Sequence, residues 1–327
     1  MVSITDVARR AGVSPSTVSY ALSGKRPISA GTRRRVEAAV RELGYRTHPG
    51  IPTGVLGLLL PLRPGAGPPD PAGHAMSVVT AARAHGHDVL LITREDDDST
   101  GEEADRTGHR MADALIVTDV RLRDPRLPAL RGRPAVLLGL PADPAGLTCV
   151  DLDYRAAGER CAARLAELGH RVVALVGAEP AVYARGTASA HRVVRGFTAA
   201  AARAGLTASV HPSAAGPDTA RDTAGRLLRL RPAPTAVLVH NEPLLAPLLD
   251  ALERLGRRVP DDLSVVAICP DAVALAPRLP VTSVTVPTAE LGARAVALAL
   301  RAVSGPAAPG VHLLPPRLTE RSSTAPA

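Results

Sequence analysis

The sequence predicts an α/β protein: an all-α helix-turn-helix at the N-terminus, then a core of two doubly wound lobes. Three observations carry this reading. Residues 3–45 parse as three short helices with a glycine turn after the first. Beyond residue 54, short continuous apolar runs alternate with amphipathic stretches in two successive series. Charge is also uneven. Residues 1–50 hold nine basic against three acidic residues, a balance of +6, which leaves +2 of the chain's +8 for everything else. A positive field focused on one small helical segment suits a polyanionic partner.

The helical segment is justified residue by residue. Ser3 is placed to cap a first helix, and Asp6 three positions on completes a capping box. Ile4, Val7, Ala8 and Ala11 recur at helical spacing. Gly12 ends that helix, because the tight turn needs a residue that accepts positive φ. Val13 is the expected buried residue of the turn. Ser14 caps the second helix, and Pro15 occupies its first position, where a missing N–H costs nothing. Val18 and Leu22 face inward. Ser16, Thr17, Ser19 and Tyr20 then form a polar face, followed by Lys25 and Arg26. A third helix opens near Ser29 and runs through Val36, Val40 and Leu43 to Gly44. The polar face is the right size for a DNA major groove, with N-terminal side chains at base edges and hydroxyls at phosphates.

Residues 46–54, RTHPGIPTG, break the helical pattern and read as a linker. Expected strands follow at 55–60, 88–93, 113–118 and 134–140, with helices near 73–85, 101–111 and 126–131. A second series starts with a strand at 149–153. It continues with strands at 171–177, 235–240 and 263–268 and helices across 155–168, 189–204 and 243–255. Continuous apolar strands between helices indicate parallel sheets covered on both faces.

Other classes lack their signatures. The chain has no Walker A sequence, GxSxG elbow, HExxH pair, or GxGxxG after a strand, so no cofactor and no enzymatic activity are expected. Cys149, Cys161 and Cys269 have no metal spacing and read as reduced thiols of a cytosolic protein. No apolar run is long enough to span a bilayer, and the N-terminus passes straight into the first helix without a signal segment. His170 reads as a helix end. The acidic run from Glu95 to Asp98, with Glu102 and Glu103, reads as a solvated loop leading into a helix N-terminus.

The segment TDVARRAGVSPSTVSYALSGKRPIS, followed by TRRRVEAAVRELGY, resembles the headpiece of the lactose/galactose repressor (LacI/GalR) family. Further along, VDLDYRAAGERCAARLAELGHRVVALVG, TAVLVHNEPLLAPLLDALERLGRRVPDDLSVVAI and TSVTVPTAELGARAVALAL resemble successive parts of the same family's core. The resemblance implies a headpiece over 1–46, a linker over 47–54, and a periplasmic-binding-protein-like core over 55–327. That core would comprise two Rossmann-like lobes: 55–148 with 281–315, and 149–280 with 316–327. It implies a homodimeric repressor, cytoplasmic and nucleoid-associated, on a palindromic double-stranded operator, with a small-molecule effector between the lobes. By the same resemblance Pro15, Ser16 and Tyr20 read bases. Ser3, Ser14, Thr17, Ser19, Ser23, Ser29 and Thr32 touch the DNA backbone, with Lys25, Arg26 and Arg33 adding charge. Many relatives carry arginine at the position of Tyr20, so a bidentate arginine–guanine contact is missing there.

The effector cleft departs from the family pattern. Residues 61–74, PLRPGAGPPDPAGH, lack the usual aromatic. The arginine slot before Gly196–Phe197 holds Val193, with Arg192 beside it. Cys269 and Pro270 replace an acidic pair, and Asp271 is displaced. Asn241 stands in a matching position, with Glu242 in place of aspartate. Arg192, Asn241, Glu242 and Asp271 are therefore the effector candidates, leaving a divergent effector, no effector, or a working pocket in which loops supply other ligating groups. The linker is short and rich in proline and glycine, so no hinge helix is expected and Ile51 is its one apolar wedge candidate. Rivals are a solute-binding protein without DNA function and an enzyme on a Rossmann-like scaffold.

Overall fold

A computed structural model describes residues 3–23, 28–43, 53–61, 71–93, 112–305 and 308–327. Lys25, Arg26, linker residues 47–52 with Ile51, the acidic run and the helix expected at 101–111 lie outside the described residues. The chain divides into two compact units, Met1–Pro52 and Thr53–Ala327. The first holds α1 (Ile4–Ala11), α2 (Pro15–Ser23) and α3 (Ala30–Leu43). Val7, Ala8, Ala11, Val18, Ala21, Val36 and Ala39 form its buried core. Each helix contributes to that core at helical spacing, as the apolar pattern requires.

The second unit begins β1 (Val55–Leu59), α4 (Pro71–Ala84), β2 (Asp88–Ile92), β3 (Ala114–Val117), α5 (Leu127–Leu130), β4 (Ala135–Leu138) and β5 (Thr148–Leu152). It continues with α6 (Tyr154–Glu167), β6 (Val172–Gly177), α7 (Pro180–Ala184), α8 (Ala188–Arg203), β7 (Thr207–Pro212), α9 (Pro217–Arg229) and β8 (Ala236–Val239). It ends with α10 (Glu242–Arg254), β9 (Ser264–Cys269), α11 (Asp271–Leu275), β10 (Thr282–Thr285), α12 (Thr288–Ser304), β11 (Val311–Leu314) and β12 (Leu318–Thr319).

Two six-stranded sheets result, with orders β11-β5-β4-β3-β1-β2 and β12-β10-β9-β8-β6-β7. Every pairing is parallel except β10 with β12. Strands β3, β4, β8 and β9 are buried along their whole length, which explains why they read as unbroken apolar runs. One apolar cluster runs from Leu56, Ile116, Val136 and Val150 of the first sheet through Leu165 and Phe197 to Leu175, Leu238 and Val266 of the second.

Two strands sit differently from the sequence expectation. Residues 149–153, read as the start of the second lobe, form β5 and pair with β4 and β11 in the first sheet. A strand that closes one series has the same buried pattern as one that opens the next. Residues from 281, expected with the first lobe, include β10, which pairs with β9 in the second sheet. The return to the first lobe comes with α12, which packs on α4. The chain thus passes between lobes three times, after β5, after β10 and after β11.

Candidate functional site

All three headpiece helices start on a serine. At α1 the Ser3 hydroxyl accepts from Asp6 N–H (3.3 Å), while Ser3 N–H donates to Asp6 Oδ2 (2.9 Å), closing the capping box. The Ser3 N–H and hydroxyl, with Arg9 beside them, hold the exposed Asp6 carboxyl below its usual range. At α2 Ser14 Oγ accepts from Thr17 N–H at 3.1 Å, and at α3 Ser29 Oγ accepts from Thr32 N–H at 3.1 Å. Ser14 Oγ also lies 2.8 Å from both Ser16 Oγ and Thr17 Oγ1. These caps satisfy N–H groups that the first turn of a helix leaves without intrahelical partners. Gly12 has φ 65°, and its left-handed turn swings the chain from α1 into α2. Arg10 of α1 pairs with Glu42 of α3 at 2.7 Å and ties the outer helices together.

On α2, Val18 is fully buried, whereas Pro15, Ser16 and Ser19 are exposed and Thr17 and Tyr20 are half-buried. Ser3, Ser14, Ser29 and Arg33 are exposed and Thr32 is half-buried. The headpiece therefore presents one hydroxyl-rich helix face bounded by serine-capped helix starts, where N–H groups and helix dipoles favour phosphate oxygens. The side chain of Ser23 lies outside the described residues.

In the core, the second sheet reverses strand order between β6 and β8, the place where an open α/β sheet holds ligands. A cavity of about 30 Å³ lies there, lined by Glu179, Thr187, Ser189, His240, Asn241 and Glu242 among others. That volume holds about two waters. Asn241 and Glu242, neighbours in sequence, both line the cavity. The Asn241 amide, however, donates to the carbonyls of Gly177 (3.2 Å) and Ser213 (2.7 Å), so the chain itself uses its donor. Arg192 and Asp271 do not line this cavity. Arg192 reaches across to the first lobe and donates to the carbonyls of Leu140 and Pro141. Asp271 accepts from Thr285 Oγ1 (2.9 Å) and Arg321 Nη2 (2.7 Å) within the second lobe.

The polar lining residues that escaped the sequence reading are Glu179, Thr187, Ser189 and His240. Glu179 and His240 follow the carboxyl ends of β6 and β8, a signal that strand order would have exposed. His240 is buried against the Tyr154 ring at 5.7 Å, and burial lowers its pKa to about 4. Its Nδ1 and the Thr187 hydroxyl are buried without a hydrogen-bond partner. Near Arg192, burial raises the Asp151 pKa to about 7, with repulsion from Asp153 adding to it and the Leu152 N–H and Arg192 opposing. His170 follows α6, as expected of a helix end, and its ring lies 2.9 Å from the Thr235 hydroxyl. The three cysteine thiols are buried and unpaired. Among the described residues no helix is long and apolar enough to cross a membrane.

Comparison with known proteins bears on the whole chain. Residues 3–48 match the family described as bacterial regulatory proteins, lacI family, and residues 162–324 match a periplasmic binding protein-like domain. The transcriptional regulator AglR of Rhizobium meliloti is 30% identical over 284 residues, covering 81% of this chain and 77% of that protein. The transcriptional repressor CytR of Escherichia coli (strain K12) is 27% identical over 98% of this chain and 95% of its own. A solved complex of the regulator CelR with cellobiose superposes with TM-score 0.70 at 27% identity, covering 99% of this chain and 100% of that one. The lac repressor dimer bound to operator and an anti-inducer shares the fold, at TM-score 0.71 and 23% identity over 99% of each chain. A lacI-family headpiece and a periplasmic-binding-protein-like core thus lie in one chain, and the chain belongs to the LacI family of bacterial transcriptional regulators.

Proposed function

We propose that the chain is a sequence-specific repressor that binds a palindromic double-stranded operator as a homodimer in the cytoplasm, associated with the nucleoid. The observation that carries this is the exposed Pro15–Ser16–Ser19 face of α2, set on a packed three-helix core between serine-capped helix starts. In this reading α2 lies in the major groove. Pro15, Ser16 and Tyr20 meet base edges. Ser3, Ser14, Thr17, Ser19, Ser23, Ser29 and Thr32 hold phosphates and sugars, with Lys25, Arg26 and Arg33 supplying charge. Met76 and Val79 of α4 and Leu91 of the edge strand β2 are large apolar side chains left exposed, and they offer a face for self-association. The function needs no cofactor and no covalent chemistry.

The core is proposed to sense a small molecule weakly or not at all. CelR is solved with a sugar; here the cavity at the ends of β6 and β8 is small, and Asn241 and Arg192 are engaged by the chain itself. The test is selection from randomised duplex DNA with the full chain, followed by sedimentation of the selected complex. Two inverted half-sites bound by two copies are expected. Failure to enrich any sequence at low salt would refute the proposal. Cellobiose and other sugars at millimolar concentration are expected to leave the selected complex intact. Release by one of them would establish a working effector site.

A further inference from the structure

We infer that the two lobes of the core are latched together by the chain's own backbone at the edge of the cleft, so that the closed arrangement needs no ligand. The latch joins residues 120–122, which follow β3 in the first lobe, to residues 186–188, which lead into α8 in the second. Leu122 N–H donates to the Gly186 carbonyl at 2.8 Å, and Ala188 N–H donates to the Val120 carbonyl at 2.9 Å. Arg121 and Thr187 between them form an antiparallel bridge. Arg192, one turn into α8, adds its guanidinium contacts to the carbonyls of Leu140 (3.2 Å) and Pro141 (3.1 Å). The same first-lobe segment closes on itself through Ala142 N–H to the Leu122 carbonyl at 2.9 Å. These contacts are additional to the three covalent crossings.

The first-lobe arm is held in the shape the latch needs. Asp119 has φ 50°, left-handed backbone that is uncommon outside glycine and that Asp adopts more readily than most residues. Arg126 braces it here. Its Nη2 donates to the carbonyls of Thr118 and Asp119, each at 3.1 Å, and to Asp124 Oδ2 at 2.7 Å. Asp124 is buried, and its second oxygen accepts from Arg126 N–H and Nε. The arm also fits against Gly139: a Cβ there would stand 2.6 Å from Val120 Cβ. In the second lobe, Gly186 has φ 76°, which turns its carbonyl toward Leu122. Thr187, the bridge residue, also lines the small cavity, so the latch and the cavity share a wall. Any molecule large enough to part the lobes at this edge must first break these bonds.

Ala188→Pro tests the latch selectively. Position 188 is the first residue of α8, where proline suits the helix, and Thr187 before it is already extended at ψ 121°. The substitution removes the N–H that Val120 accepts and puts ring carbon in its place. Hydrogen–deuterium exchange of the ligand-free full chain is the readout, with X-ray scattering beside it. In the wild type, the Leu122 and Ala188 amides should exchange at least about 100-fold more slowly than an open chain. In Ala188→Pro, the Leu122 amide should lose at least about tenfold of that protection and the radius of gyration should rise, while Leu115 and Val237 inside the sheets stay protected. If those sheet amides also lose protection, Arg192→Ala becomes the deciding variant, with the same expected loss at Leu122. Wild-type Leu122 and Ala188 amides exchanging at open-chain rates would overturn the latch. So would unchanged Leu122 protection in a folded variant. No DNA enters the measurement, so its failure leaves the proposed function standing.

Discussion

Ser14 Oγ accepts a hydrogen bond from Thr17 N–H at 3.1 Å and stands 2.8 Å from the Thr17 hydroxyl, so one side chain both starts α2 and orders the hydroxyls beside it. Ser14→Ala should therefore act twice. Loss of the cap should lower headpiece stability by about 1 kcal/mol. It should also weaken DNA binding by removing a phosphate donor. Amide exchange at Val18 and Ala21 reads the first effect, and fluorescence anisotropy with labelled operator reads the second. Unchanged exchange at both amides would show that the cap contributes nothing to α2.

Arg33, Arg34 and Arg35 are exposed on α3 next to the capped start at Ser29. Replacing all three with Ala should weaken specific and non-specific binding alike. The slope of log affinity against log salt should shrink by about 0.9 for each phosphate these arginines neutralise. A slope equal to wild type would remove them from the DNA-binding surface.

The headpiece was legible because its signals are local. Ser3 with Asp6, Gly12, and Ser14 before Pro15 specify caps and turn within a few residues, and the helices begin where those residues say. The parallel strands were legible for a related reason: burial on both faces makes them continuous apolar runs. Which sheet a strand joins is a long-range matter. Nothing in residues 148–152 distinguishes pairing with β4 from pairing with β6, and nothing in Thr282–Thr285 announces β9 as its neighbour. The cleft suffered for the same reason. Arg192 and Asp271 have effector-like chemistry, yet their partners at Pro141 and Arg321 lie about 50 residues away and take up that chemistry. Helices α7, α9, α11 and α12 went unassigned: α7 and α11 are five residues long, too short for a periodic signal, whereas α9 carries one, with Ala220, Ala224 and Leu227 buried at helical spacing.

Asn241 holds the ends of two strands together through Gly177 and Ser213. Asn241→Ala leaves both carbonyls without that donor and should cost about 1–2 kcal/mol, less whatever water recovers at this half-buried site. The midpoint of urea unfolding measures it. A midpoint equal to wild type would show that water replaces the amide fully.

Asp151 and His240 pull stability in opposite directions with pH. Burial raises the Asp151 pKa from 3.8 to about 7, so the native state holds a proton the unfolded chain releases. Stability then falls as pH rises from about 4 to 7 and is level above. Burial lowers the His240 pKa from 6.5 to about 4, so here the unfolded chain binds the extra proton. Stability from this source rises between pH 4 and 6.5. Asp151→Asn removes the first effect, while its amide oxygen can still accept from Leu152 N–H. The variant should become more stable with rising pH up to about 6.5 and should exceed wild type at pH 8 relative to pH 5. Urea unfolding across that range checks it. Parallel curves for variant and wild type would show that Asp151 titrates normally.

The central claim is that the exposed face of α2 reads DNA sequence. The most direct measurement is selection from randomised duplex DNA with wild type and with Ser16→Ala/Tyr20→Ala, each checked for an intact headpiece by amide exchange at Val18. Wild type should enrich two inverted half-sites. The double variant should remain folded, bind DNA with similar salt dependence, and lose preference at the base pairs nearest the start of α2. A folded double variant that selects the same site with the same preference would contradict the account.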